Sequence, residues 1–190
     1  MALHLAIFIQ GFLVLFIGAS LAKKLWHPSH FIAVLDGYAL LPKPLVALAS
    51  IMVMAFEAIC LLMVFAMPLY GGLAITALML IYSLAIGINI ARGRDDFDCG
   101  CSWIFTTTSY SVTAVQQAVW LALRNGMVAT MALGLAITTS PNTHIIAMSE
   151  GRLIALAIVA AIFLNLLIVL IENLMSIAAQ IREIRGVRYV

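Results

Sequence analysis

The segment Asp95-Asp96-Phe97-Asp98-Cys99-Gly100-Cys101-Ser102-Trp103 places two thiols one glycine apart, behind three carboxylates. Cysteines at i and i+2 can bridge only through a tight turn, because an unstrained disulfide wants its Cα atoms about 5.5–6 Å apart and an extended backbone exceeds that. Gly100 permits such a turn. Strain in the oxidised form raises the reduction potential and makes the bond labile, as in catalytic and regulatory disulfides. So small a ring also constrains little of the unfolded chain, which argues against a stabilising role. Cys99 and Cys101 are therefore the candidate catalytic pair. The neighbouring charges oppose one another: Asp95, Asp96 and Asp98 disfavour thiolate, whereas Arg92, Arg94 and a nearby imidazolium favour it. The plainer alternative is two small, weakly polar residues filling a tight interfacial turn.

Glu57 is the second candidate, in a supporting role. It lies midway along an apolar segment, where an ionised carboxylate costs at least a few kcal/mol, so it must be protonated or paired. One reading is proton delivery or a polar contact to a quinone headgroup; the other is a helix-packing hydrogen bond with Arg124, Asn89 or Asn165. Cys60 follows three residues later on the same helix face, and a small core hydrophobe accounts for it. Cys99, Cys101, His27 and His30 offer two sulfurs and two nitrogens, but a C-x-C with an H-x-x-H does not match the usual zinc spacings. No metal site is assigned.

The surroundings of these residues are lipid-soluble. Of 190 residues, 65% are hydrophobic and 9% charged, with a mean hydropathy of +1.15, against about 45–50% apolar and about 25% charged in soluble domains. The fold class is all-α, a polytopic membrane helix bundle. A span needs about 20 mostly apolar residues, and Leu3–Ala22, Leu45–Met67, Leu73–Ala91 and Leu153–Met175 meet that requirement. Val115–Thr138, despite Gln116, Gln117, Arg124 and Asn125, makes a fifth. The first span lacks the early Lys or Arg of a signal peptide and is read as retained. Between spans one and two, an interfacial helix from about Ser29 to Leu40 is expected, preceded by Pro28 and ended by Leu41-Pro42. Residues 67–72 read as a tight turn. Gly11, Gly18, Gly87 and Gly134 are the expected close-packing positions. A single integral domain, 1–190, is the simplest organisation.

With five spans, Lys23, Lys24, Lys43, Arg92, Arg94, Arg182, Arg185 and Arg188 fall on one side and Arg152 on the other. The positive-inside rule makes the crowded side cytoplasmic, with the N-terminus outside and the C-terminus inside. In either orientation the first loop shares a membrane face with the cysteine loop. A net charge of +2 with scattered basic residues gives no nucleic-acid footprint.

Read in order, Gly18-Ala-Ser-Leu-Ala-Lys-Lys24-Leu25, Pro28, Phe31, Tyr38-Ala-Leu-Leu-Pro42, Glu57 and Asp98-Cys99-Gly100-Cys101 resemble the MauE branch of the MauE/DoxX membrane proteins. The resemblance covers about residues 11–138, and Arg124-Asn125 resembles a polar pair near the start of that family's fourth span. A span at about 151–176 and a basic tail at 177–190 lie beyond it. Where family members often continue C-G-C with Phe-Gly, this chain has Ser102-Trp103.

The resemblance implies thiol–disulfide handling during maturation of a partner protein, beside a thioredoxin-like protein, in a bacterial inner membrane. The family is associated with biogenesis of methylamine dehydrogenase. By analogy with DsbB and vitamin K epoxide reductase, the pair would exchange with a partner dithiol and pass two electrons to a quinone. Maturation of exported proteins asks for an outward-facing pair, whereas the charge count puts it in the cytoplasm, so the direction of electron flow stays open. The alternative function is a non-catalytic subunit or assembly factor of a larger membrane complex. A transporter would call for repeats or discontinuous helices, and neither is visible.

Overall fold

The computed structural model describes residues 2–93, 114–139, 155, 158–171, 173, 174 and 177, with side chains from Leu5 in the first segment and Val119 in the second. Cys99 and Cys101, their flanking aspartates and Trp103, the side chains of Gln116 and Gln117, and the tail at 178–190 lie outside the described residues.

The described elements are all helical: α1 (Ala2–Trp26), α2 (Pro28–Gly37), α3 (Lys43–Ala66), α4 (Pro68–Ala91), α5 (Ala114–Thr138) and α6 (Ile158–Ile171). Among the described residues, four helices are long and apolar enough to cross a membrane: Leu5–Trp26, Lys43–Ala66, Pro68–Ala91 and Val119–Thr138. The segment expected as the final span contributes the shorter apolar helix α6. This is a multi-pass helical membrane bundle. Its outer faces carry Leu, Ile and Phe, among them Leu62, Leu84 and Ile137, which suits lipid as the solvent, and helices are the open-ended elements whose backbone groups are satisfied there without a partner strand.

α1 is the central element. Phe12, Leu13, Phe16 and Ile17 are buried in one apolar core with Cys60 and Val64 of α3, Ile75 and Met79 of α4, Val128 and Leu135 of α5, and Ala161 of α6. Phe12 and Phe16 stack with ring centroids 5.8 Å apart, a geometry aromatic pairs favour.

The short helix expected between the first two spans forms where the sequence places it, one residue earlier at the start and three shorter at the end. Pro28 occupies its first turn, where the missing N–H costs nothing and the fixed φ is already helical. Phe31 is its buried anchor. The helix stops because Ala39 turns left-handed, with φ +44°, a conformation L-residues disfavour. Two hydrogen bonds hold that residue: its N–H donates to the Asp36 carbonyl at 2.9 Å, and Arg92 Nη1 donates to the Ala39 carbonyl at 3.3 Å. Pro42 is extended, with φ −64° and ψ 142°, and α3 starts directly after it.

The α3–α4 connection differs from the expected turn over 67–72. The chain breaks at Met67 alone, with φ −141° and ψ 78°, and Pro68 opens α4. Gly71 makes so short a link possible, since a Cβ there would lie 2.4 Å from the Val64 nitrogen. A Cβ on Gly72 would meet the Ala132 carbonyl oxygen of α5 at 2.5 Å. The adjacent glycines thus admit one neighbouring helix each, and α4 makes its most extensive contact with α5. The expected close-packing positions are looser: Gly11 and Gly18 would meet neighbours at 3.7 and 4.0 Å, and Gly87 and Gly134 meet nothing within 4 Å.

Candidate functional site

Three helices deliver one polar side chain each to a common point. On α1 the buried series Leu13, Ile17, Ser20, Lys24 recurs at three- and four-residue spacing, so Lys24 is the last member of the stripe facing the bundle. On α3 the buried stripe is Val46, Ser50, Glu57, Cys60 and Val64. On α4, Tyr82 continues the series Ile75, Leu78, Met79 toward Ile86 and Asn89. Lys24 and Glu57 are 2% and 0% exposed.

Lys24 Nζ donates to Glu57 Oε1 in an ion pair. Tyr82 Oη donates to the same oxygen at 2.6 Å, and Lys24 Nζ donates to Tyr82 Oη at 3.2 Å. The ammonium also lies 4.9 Å from the ring centroid of Phe31 and 5.2 Å from that of Tyr82, within cation–π range. The network is therefore bounded by α1, α3 and α4, with Phe31 of α2 packed against its cation. Glu57 Oε2 is buried and has no hydrogen-bond partner.

Glu57 is thus paired, as its depth in the membrane demands, though its partners are Lys24 and Tyr82 rather than Arg124, Asn89 or Asn165. Asn89 and Asn165 each return their amide N–H to the carbonyl four residues back, Ala85 at 3.0 Å and Ala161 at 2.9 Å. Arg124 sits with its guanidinium carbon 5.6 Å from the Phe16 ring centroid. By sequence position Lys24 counts among the loop cations, and the signal for its true place is the apolar stripe it terminates. Tyr82 had no such signal, since aromatic residues are common in spans.

Tyr82 also packs against a second apolar cluster, centred on Tyr38, Ile86 and Leu121 with Trp120 beside it. That cluster sits where α2 ends and α5 begins. The Arg92 to Ala39 hydrogen bond brings the end of α4 to the same place. The last described residues of α4 therefore lie at the end of the bundle occupied by α2. Cys60 is fully buried with a free thiol. His27 is exposed and His30 half-buried at the start of α2. Lys24 Nζ and Tyr82 Oη, donors that suit a quinone carbonyl, are hydrogen-bonded to Glu57, with the Phe31 ring against the ammonium.

The family described as methylamine utilisation protein MauE matches residues 2–138. The chain belongs to the MauE family. Three curated relatives share the description "Methylamine utilization protein MauE". The protein of Paracoccus denitrificans is 31% identical over 130 residues, covering 67% of this chain and 65% of the relative. That of Methylophilus methylotrophus is 34% identical over 98 residues, covering 50% and 52% respectively, and that of Methylorubrum extorquens is 33% identical over 133 residues, covering 68% and 67%. Matches to this MauE-family chain thus span about two thirds or less of the relatives' lengths. No solved structure matches it. The family match encloses Lys24, Glu57, Tyr82 and the C-G-C segment, and ends at the last residue of α5.

Proposed function

We propose that this MauE-family protein is a membrane thiol–disulfide redox protein that assists maturation of a partner, with Cys99 and Cys101 as the exchanging pair. The observation that carries the reading is the C-G-C spacing itself, within the family-matched region, in the segment that follows α4, whose last described residues lie beside α2. In exchange, a thiolate attacks one sulfur of the disulfide, a mixed disulfide forms, and the second thiolate of the attacking pair releases the reduced product. One disulfide is lost and one gained, so two electrons and two protons pass between the partners without an external oxidant. Glu57, held by Lys24 and Tyr82, supports the bundle end from which the loop departs.

The family name points to methylamine utilisation as the setting, with a thioredoxin-like protein or a membrane-complex subunit as the partner. A bacterial inner membrane suits both. Removing Lys24 from the loop charges leaves Lys23, Lys43, Arg92, Arg94, Arg182, Arg185 and Arg188 on one side, so the positive-inside assignment of a cytoplasmic C-terminus is retained.

Labelling intact cells and inverted vesicles with a membrane-impermeant maleimide, with and without reductant, tests the proposal. The expected result is labelling from one side only, and only after reduction. Cys99→Ser and Cys101→Ser should insert normally yet leave the partner's redox state uncontrolled. An unchanged partner in both variants, with constant co-purification in a large complex, would replace this reading by the assembly-subunit one.

A further inference from the structure

Part of the cover over the Lys24 ammonium comes from outside the spanning helices. Lys24 lies two residues before the end of the span Leu5–Trp26, so the end of the bundle is the short route from its ammonium to water. A lysine stem is long enough to take that route. The side chain turns inward instead and is 1% exposed. The Tyr82 ring stands 5.2 Å from Nζ, and Phe31 supplies a second ring at 4.9 Å. Phe31 belongs to α2, a ten-residue helix.

α2 has the build of a strap. Phe31 is its buried residue, while Ser29, Ala33, Asp36 and Gly37 are exposed. Helices of this length have little stability of their own and hold their place by packing. One non-helical residue, His27 with φ −131° and ψ 63°, separates α2 from α1. The other end turns at Ala39, with φ +44°, and is fastened to α4 there. Arg92 Nη1 donates to the Ala39 carbonyl at 3.3 Å, and Tyr38 packs with Ile86. Segments with few buried apolar groups open at low free energy, and residues at element ends absorb the dihedral change.

We propose that α2 is a movable strap that controls access from the end of the bundle to the Lys24–Glu57–Tyr82 network, latched by Phe31 on the Lys24 ammonium and by Arg92 on the Ala39 carbonyl. With both latches closed, the ammonium is held between two aromatic rings and bonded to Glu57. With the strap lifted, Lys24 regains water, and Glu57 Oε2, buried without a hydrogen-bond partner, comes within reach of an incoming donor. Both latches act on one short helix, so releasing either raises the population of the lifted state. The device stands independently of thiol exchange by Cys99 and Cys101.

Pulsed acylation of the full chain with a membrane-impermeant N-hydroxysulfosuccinimide ester, in lipid nanodiscs that leave both faces open, tests the strap. Mass spectrometry reads each lysine separately. Lys43, exposed at the start of α3, reports reagent access in the same molecule, and wild-type Lys24 should label far more slowly. Phe31→Leu keeps apolar bulk but removes the ring, and should speed Lys24 by about 2- to 30-fold, the equivalent of one cation–π contact. Arg92→Ala, whose lost contact is with Ala39, should speed it by about 2- to 10-fold, the equivalent of one net hydrogen bond. Phe31→Tyr should keep the slow rate, and Cys60 should stay closed to maleimide in every variant. Wild-type Lys24 labelling at the Lys43 rate would overturn the proposal, as would an unchanged Lys24 rate in Phe31→Leu or in Arg92→Ala. Cys60 opening in step with Lys24 would also overturn it, because α2 would then be part of the bundle's fold rather than a strap upon it.

Discussion

Gln10 of α1 donates from Nε2 to the main-chain carbonyl of Val64 in α3 at 2.8 Å. Val64 lies in the last helical turn of α3, and the residue four positions on is Pro68, which has no N–H to offer. The amide side chain therefore supplies a hydrogen bond that the backbone at the α3–α4 break cannot. Gln10 is 3% exposed, so this contact is sealed within the bundle.

Gln10→Leu keeps the approximate bulk but leaves the Val64 carbonyl unsatisfied. A loss of about 1–3 kcal/mol is expected for an orphaned buried acceptor. Thermal unfolding in detergent micelles should show the drop, and an unchanged midpoint would mean that the carbonyl finds another donor.

Lys24→Met and Glu57→Leu each strand one half of the buried pair. Single truncation of such a pair costs about 3–5 kcal/mol, whereas replacing both partners by apolar residues is often close to neutral. The double variant Lys24→Met/Glu57→Leu should consequently be more stable than Lys24→Met alone. Additive losses in this cycle would show that the two charges do not act together.

Gly71→Ala and Gly72→Ala should disrupt the bundle, because each new Cβ falls at or below 2.5 Å from backbone of α3 or α5. Overpacking of this kind typically costs about 1–3 kcal/mol and occasionally more. Gly87→Ala and Gly126→Ala, which meet nothing within 4 Å, are the controls and should express at wild-type yield.

Ala39→Gly should stabilise the junction between α2 and α3. The left-handed φ of +44° costs an L-residue about 1–2 kcal/mol, from which the greater unfolded-state freedom of glycine subtracts some part. A raised unfolding midpoint is expected, with the Arg92 contact retained because it uses the main-chain carbonyl.

Cys60 should resist maleimide in the folded protein and react once detergent or denaturant opens the bundle. Its side chain is fully buried in the apolar core. Mass spectrometry of labelled peptides distinguishes it from Cys99 and Cys101. Rapid native labelling at Cys60 would contradict the packing of α1 on α3.

The sequence alone determined the apolar, all-helical build and the short helix between α1 and α3. Composition and 20-residue apolar runs demand lipid and helices, and Pro28 with Leu41-Pro42 brackets α2 to within three residues at either end. It also determined that Glu57 needs a partner, because a carboxylate at that depth cannot stand alone. These properties follow from local chemistry and chain connectivity.

Only the tertiary structure decided which partner Glu57 takes. Lys24 is two residues from the end of α1, and by position in the sequence it belongs with the loop cations that set orientation. Whether it points to water or into the bundle depends on the rotation of α1 and its register against α3, which no local pattern fixes. The same holds for the glycines: the sequence shows which residues lack a side chain, but close approach occurs at Gly71 because the chain reverses at one residue, Met67, and at Gly72 because α5 packs there. Contacts between helices distant in sequence select one polar partner and one packing position among several that composition leaves equivalent.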